Sequence, residues 1–218
     1  MFAYCGNNPI IRDDCSGQFW GLAIIGIKLV AIAVSALAIA EVGYNHISES
    51  NYKNNSKLDN NVNTTTQNKF ILDQDIEPAS NFEFGIFYHA SYNGCEAIAL
   101  HNAKILKGMN SNLSQTIRDF QNSRAMIGYG LFGSAPNAIA NVLNNNGIAY
   151  SSVSIEGMTK KGTYIFSYWN STDIFSGLHT IAISYDGNKF YGYNYMHGYN
   201  EISPSKYSDR FICCYYLE

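Results

Sequence analysis

The spacing of apolar and polar positions changes along the 218-residue chain, and the changes divide it into unlike parts. Gly21–Ala40, GLAIIGIKLVAIAVSALAIA, is apolar throughout except for Lys28. Twenty helical residues span about 30 Å, the thickness of a bilayer's hydrocarbon core. The run therefore predicts a membrane-inserting helix or, equally, a helix shielded by protein. Arg12, Asp13, Asp14 and Lys28 are misplaced for a secretory signal. His46–Lys69 is nearly devoid of apolar side chains. Such a stretch buries too little surface to offset its ordering entropy, which predicts a flexible tether.

From Phe70 onward the pattern is that of a packed domain. Cys95, Ile98, Ala99, Ala103 and Leu106 fall near one face of a predicted helix over Gly94–Leu106, ended by Gly108. A second helix surrounds Leu113–Phe120. A third follows Ser134 as cap, with Pro136 in its first turn, and closes at Gly147. The period then changes to that of strands: Ala149–Ile155, Gly162–Trp169, Leu178–Tyr185, Lys189–Tyr195 and Arg210–Tyr216. Helices first and strands second predict an α+β domain with a largely antiparallel sheet. The expected layout is thus a short leading segment (1–20), an apolar helix (21–44), a disordered polar linker (45–69) and the domain (70–218).

Composition narrows the function. Hydrophobic residues make up 46% and charged residues 14%, which excludes a wholly disordered chain. A net charge of −3 with 14 Lys+Arg supplies no basic footprint, so no nucleic-acid partner is expected. The five Cys show no C-x-x-C spacing, against a zinc ribbon or a disulfide scaffold. His46, His101 and His197 lack compact ligand spacing, so neither a metal nor another cofactor is expected.

One thiol stands out. Cys95 follows the turn signal Asn93-Gly94 and opens a helix. Unpaired N–H groups and the positive dipole end there favour thiolate, while Glu96 works against it. Its candidate base is His179 in LHTIAISYDGNKFYGYN, Leu178–Asn194. Asp186-Gly187 predicts a two-residue hairpin turn that sets His179 opposite Asn194. A Gly187-Asn188 loop would make the pair diagonal on one face; a three-residue loop would part them. A cross-strand polar pair serving structure alone is the other reading. With a thiol at a helix start, the set reads as Cys–His–Asn: base and proton carrier in His179, ring orientation by Asn194. Asp173 and Asp186 are alternative orienters, Asp186 being better explained by its turn. Cys213-Cys214 and Tyr191, Tyr193 and Tyr195 read as sheet packing.

The order and surroundings of these residues resemble the papain-like cysteine peptidases of the bacteriocin-leader-processing type, above all their stand-alone relatives with a Gly-Cys-Glu-Ala helix start. The matching pieces are NGCEAIAL (Asn93–Leu100), GYGLFGSAPNAIANVLNNNGI (Gly128–Ile148) and the His179 hairpin. The resemblance implies a papain-like fold, Cys95 as nucleophile, His179 as base, Asn194 as orienting residue, and a peptide or protein substrate. It also implies an oxyanion-hole Gln before the nucleophile. No Gln lies between Phe82 and Cys95, where His89 and Asn93 are the substitutes. FAYCGNNPIIRDDCSGQFW, Phe2–Trp20, is similar to the closing segment of the Rhs (YD-repeat) core, with Cys15 where Pro is expected. That likeness implies the tip of a bacterial delivery toxin, secreted or membrane-associated, with a possible immunity protein as partner and membrane contact through Gly21–Ala40. The expected activity is thiol hydrolysis of a peptide bond. The alternatives are acyl transfer or deamidation by the same triad, and an inactive membrane-inserting fragment.

Overall fold

The computed structural model describes residues 41–60, 66–86, 88–172 and 177–218. The Rhs-like segment, the apolar run at 21–40, linker residues 61–65 and Asp173 lie outside them. The described chain is α+β. Five α-helices, α1 (Glu41–Asp59), α2 (Ala90–Asn93), α3 (Cys95–Leu106), α4 (Leu113–Asn122) and α5 (Ala138–Asn145), precede the main sheet. A two-stranded ribbon, β1 (Glu83–Phe84) with β2 (Tyr88–His89), sits between α1 and α2. The sheet strands are β3 (Tyr150–Ser152), β4 (Gly162–Trp169), β5 (Leu178–Tyr185), β6 (Phe190–Tyr193), β7 (Tyr199–Ile202) and β8 (Phe211–Leu217). They pair antiparallel in the order β3-β8-β4-β5-β6-β7.

Strand alternation divides the core in two. Ile165, Ala182, Cys213 and Tyr215 face the helices and pack with Ile98, Leu100, Leu113, Phe120 and Leu143. Tyr164, Phe166, Tyr168, Ile181, Ile183 and Cys214 face the other way, into an aromatic layer closed by Tyr195 and Ile202. α3 packs on β5 and β4 and is buried along nearly its whole length, so its first turn is delivered to the middle of the sheet.

The polar segment expected as a flexible tether is structured over much of its length, because α1 occupies residues 41–59. Apart from Leu58, which packs against the core, it is held by hydrogen bonds. Asn51 and Asn55 donate to the carbonyls of Gly85 and Glu83, and Asn55 accepts from Glu83 N–H at 2.9 Å. Asp59 accepts the Ser114 amide at 3.1 Å and two groups of Thr66, placing a carboxylate at the start of α4. Arg118 pairs with Glu49 at 2.7 Å and lies over the Tyr52 ring at 4.2 Å.

Other departures are local. α5 begins at Ala138 with Asn137 as N-cap, and Ser134 does not cap it. The first strand shrinks to Tyr150–Ser152. The β5–β6 register is that of the alternative Gly187-Asn188 loop, not of Asp186-Gly187: Tyr185 pairs with Phe190, and the Asp186 amide donates to the Lys189 carbonyl at 3.2 Å. Asp186 causes this, since its carboxylate accepts the amides of both Asn188 and Lys189 at 2.7 Å. The loop stays even in length, so the face assignment of the strands is unchanged.

Candidate active site

α2 runs into α3 through Gly94, whose missing side chain is required: a Cβ there would lie 2.7 Å from the Ala90 carbonyl oxygen. The tight junction puts Cys95 at the first position of α3, buried against β5. The β5–β6 ladder begins at Ala182–Tyr193, and the sulfur lies against the stretch of β5 before it. Sγ is 4.0 Å from the Leu178 carbonyl and receives a hydrogen bond from the Thr180 amide. The thiol thus sits against the main chain on both sides of His179.

His179 is half-buried, edge-on to Tyr168 with ring centroids 5.8 Å apart. Its Nε2 lies 2.8 Å from the main-chain oxygen of Asn194. A carbonyl can only accept, so Nε2 carries the proton and the lone pair of the neutral ring is on Nδ1. Burial pushes the His179 pKa below its usual 6.5; the Asn194 carbonyl and the nearby Asp75 oppose this, and His197 adds to it.

Asn194 orients the imidazole by a different group from the one expected. Its φ of +61° turns the chain out of the ladder after Tyr193, and the main-chain carbonyl swings towards the ring. Gly192 gives this turn its room, because a Cβ there would stand 2.8 Å from that of Tyr195. The buried carboxamide is held elsewhere. Oδ1 accepts the Gln74 amide at 3.0 Å, and Nδ2 donates to Gln74 Oε1 at 2.8 Å. Gln74 Nε2 in turn donates to the Ser91 carbonyl at 2.8 Å, four residues before the thiol.

Glu96 is buried beside the sulfur. One carboxylate oxygen accepts both the Cys95 thiol, at 3.3 Å, and the Ser134 hydroxyl, at 2.9 Å. Burial raises its pKa to about 7 against the opposing effect of its own amide, Ser134 and Cys95. Burial, and then the Glu96 charge, push the thiol well above its usual range; hydrogen bonds from the Thr180 and Glu96 amides oppose them. The helix start was expected to lower this pKa. Desolvation and the adjacent carboxylate outweigh it. Sγ makes no hydrogen bond to the imidazole among the described residues.

The two expected oxyanion donors are placed differently. His89 is exposed on β2, where it pairs with Glu83. Asn93 spends its amide on the carbonyls of Gly130 and Leu131, at 2.8 and 3.2 Å. Neither hydrogen-bonds to the sulfur. Of the remaining histidines, His101 is a buried structural residue bonded to Ser111 and to the Lys69 carbonyl, both at 2.8 Å. His197, with Asp73 and Asp75, presents ligand atoms within 4.8 Å of one another, a set able to hold a cation at the surface. Gln74 and the Glu96–Ser134 pair were not found by sequence reasoning. Ser134 had read as a helix cap, and nothing in the spacing of Gln74 ties it to a residue 120 positions later.

The sequence matches no protein-family model and no curated protein. Among the described residues, no helix is long and apolar enough to cross a membrane.

Proposed function

We propose that this chain is a thiol hydrolase, a cysteine peptidase of papain-like fold, acting as the toxic tip of an Rhs-type delivery protein. The observation that carries the reading is the placement of the Cys95 sulfur against the main chain flanking His179, with the ring fixed through Nε2. Nδ1 of His179 takes the thiol proton, and the sulfur attacks a carbonyl carbon to form a tetrahedral adduct. First-turn amides of α3 are the donors available to the oxyanion. The imidazolium returns its proton to the leaving amine; water, activated by the same ring, then hydrolyses the thioester. Asn194 holds the tautomer that this sequence needs. The toxin context rests on the Rhs-like residues 2–20 and the apolar run that follows them.

The test uses the full chain and iodoacetamide at neutral pH. Cys95 should alkylate faster than the fully buried Cys213 and Cys214, and His179→Ala should remove most of the difference. Equal rates at the three thiols, or a Cys95 rate indifferent to His179→Ala, would overturn the proposal.

A further inference from the structure

The segment at residues 70–75 has no regular secondary structure, yet both halves of the candidate site grip it. At its start, Asn102 on α3 closes a two-way amide pair with Ile71, accepting its N–H at 2.9 Å and donating to its carbonyl at 2.7 Å. Phe70 packs on Tyr193, the last residue of β6, with ring centroids 4.8 Å apart. Three residues on, Gln74 makes the three hydrogen bonds described above. Two hold the carboxamide of Asn194, and the third holds the Ser91 carbonyl ahead of α3.

The chain of contacts has a direction. Asn194 is buried and in a left-handed conformation, and its carbonyl aims at His179 only while the residue keeps that turn. Both polar ends of its side chain are satisfied by Gln74. Removing that partner leaves a buried amide unpaired, which a flexible turn relieves by rotating. We infer that Gln74 is a positioning residue for the proposed hydrolase: it fixes the Asn194 carbonyl against His179 Nε2 and ties that arm to the helix start bearing Cys95. This inference rests on the thiol-hydrolase reading and adds to it a fourth residue, far from the other three in sequence. Asp75 and His197 stand at the same junction and share the field around the ring.

Two variants separate position from fold. Gln74→Met keeps the side-chain length and the main-chain N–H but removes both amide functions. Gln74→Glu restores the acceptor for Asn194 Nδ2. In the full chain, nitrogen chemical shifts of His179 should show the proton on Nε2 in the parent protein. Gln74→Met should mix the two tautomers and slow Cys95 alkylation by iodoacetamide on the order of tenfold. Gln74→Glu should recover the parent tautomer. A melting curve for each variant confines the comparison to temperatures where it is folded. If Gln74→Met is unfolded throughout, Gln74→Glu and the parent tautomer decide: a parent protonated on Nδ1, or a Glu variant with mixed tautomers, overturns the inference. Parent-like tautomer and rate in Gln74→Met overturn it also. In both cases the hydrolase reading survives if Cys95 labelling still depends on His179; loss of that dependence in the parent instead removes the reading itself.

Discussion

The thiol of Cys95 donates to the carboxylate of Glu96 at 3.3 Å, so the first acceptor for the candidate nucleophile's proton is its own neighbour in the chain. The same oxygen accepts from Ser134, which fixes the carboxylate against the sulfur. An anion held there opposes a second anion on the sulfur, and burial magnifies the effect.

Glu96→Gln should therefore make Cys95 more reactive. The neutral amide keeps an acceptor for Ser134 while removing the charge that raises the thiol pKa. Each unit by which that pKa falls raises the thiolate fraction about tenfold at neutral pH. Iodoacetamide rates measured against pH should show the alkaline limb displaced to lower pH in the variant.

Two buried groups should give opposing slopes to stability against pH. Glu96 has a folded pKa of about 7 and an ordinary value of 4.5, so its contribution is complete below 4.5 and is lost as pH rises through 7. His101 is lowered by burial from 6.5 to about 4, so its contribution is present above 6.5 and is lost as pH falls through 4. Each interval corresponds to about 3 kcal/mol. Between pH 4.5 and 6.5 the two largely cancel. Urea unfolding should find Glu96→Gln gaining stability with rising pH across that window, and His101→Gln losing it.

At position 194 the backbone and the side chain are separable. Asn194→Gly keeps the φ of +61° without strain, whereas Asn194→Ala places a Cβ in the left-handed region. Both lose the grip of Gln74. The Ala variant should be less stable than the Gly variant by about 1 kcal/mol, read from chemical denaturation. Both should alkylate Cys95 more slowly than the parent.

Asn102→Ala should cost on the order of 3 kcal/mol, because it strands a main-chain N–H and a carbonyl of the buried Ile71. Circular dichroism during thermal unfolding would measure the loss. Hydrogen exchange should locate it at residues 70–75.

What could be read from the sequence followed local periodicity. β4 and β5 appear at the bounds their alternation predicts, and α3 opens at Cys95 as expected, although Gly94 joins it directly to α2 and Asn93-Gly94 forms no turn. β7 was missed because YNEI offers only one buried apolar side chain. α1 was missed because its stabilising groups are amides and a carboxylate whose partners lie some 30 to 55 residues away. At the candidate site, the nearness of Asn194 to His179 was legible from strand parity, though not as a cross-strand pair, because the ladder ends at Ala182–Tyr193 and Asn194 turns out of it. The bonding group was not, since a main-chain carbonyl has no sequence signature and the left-handed turn depends on Gln74.

Adjacent residues on β8 look into different interiors: Cys213 into the layer beneath the helices, Cys214 into the aromatic layer. Each sulfur is thus a natural reporter for one half of the molecule. Under mild denaturant, the order in which a disulfide reagent captures the two should tell which layer loosens first, with no engineered label and no change to the residues of the candidate site.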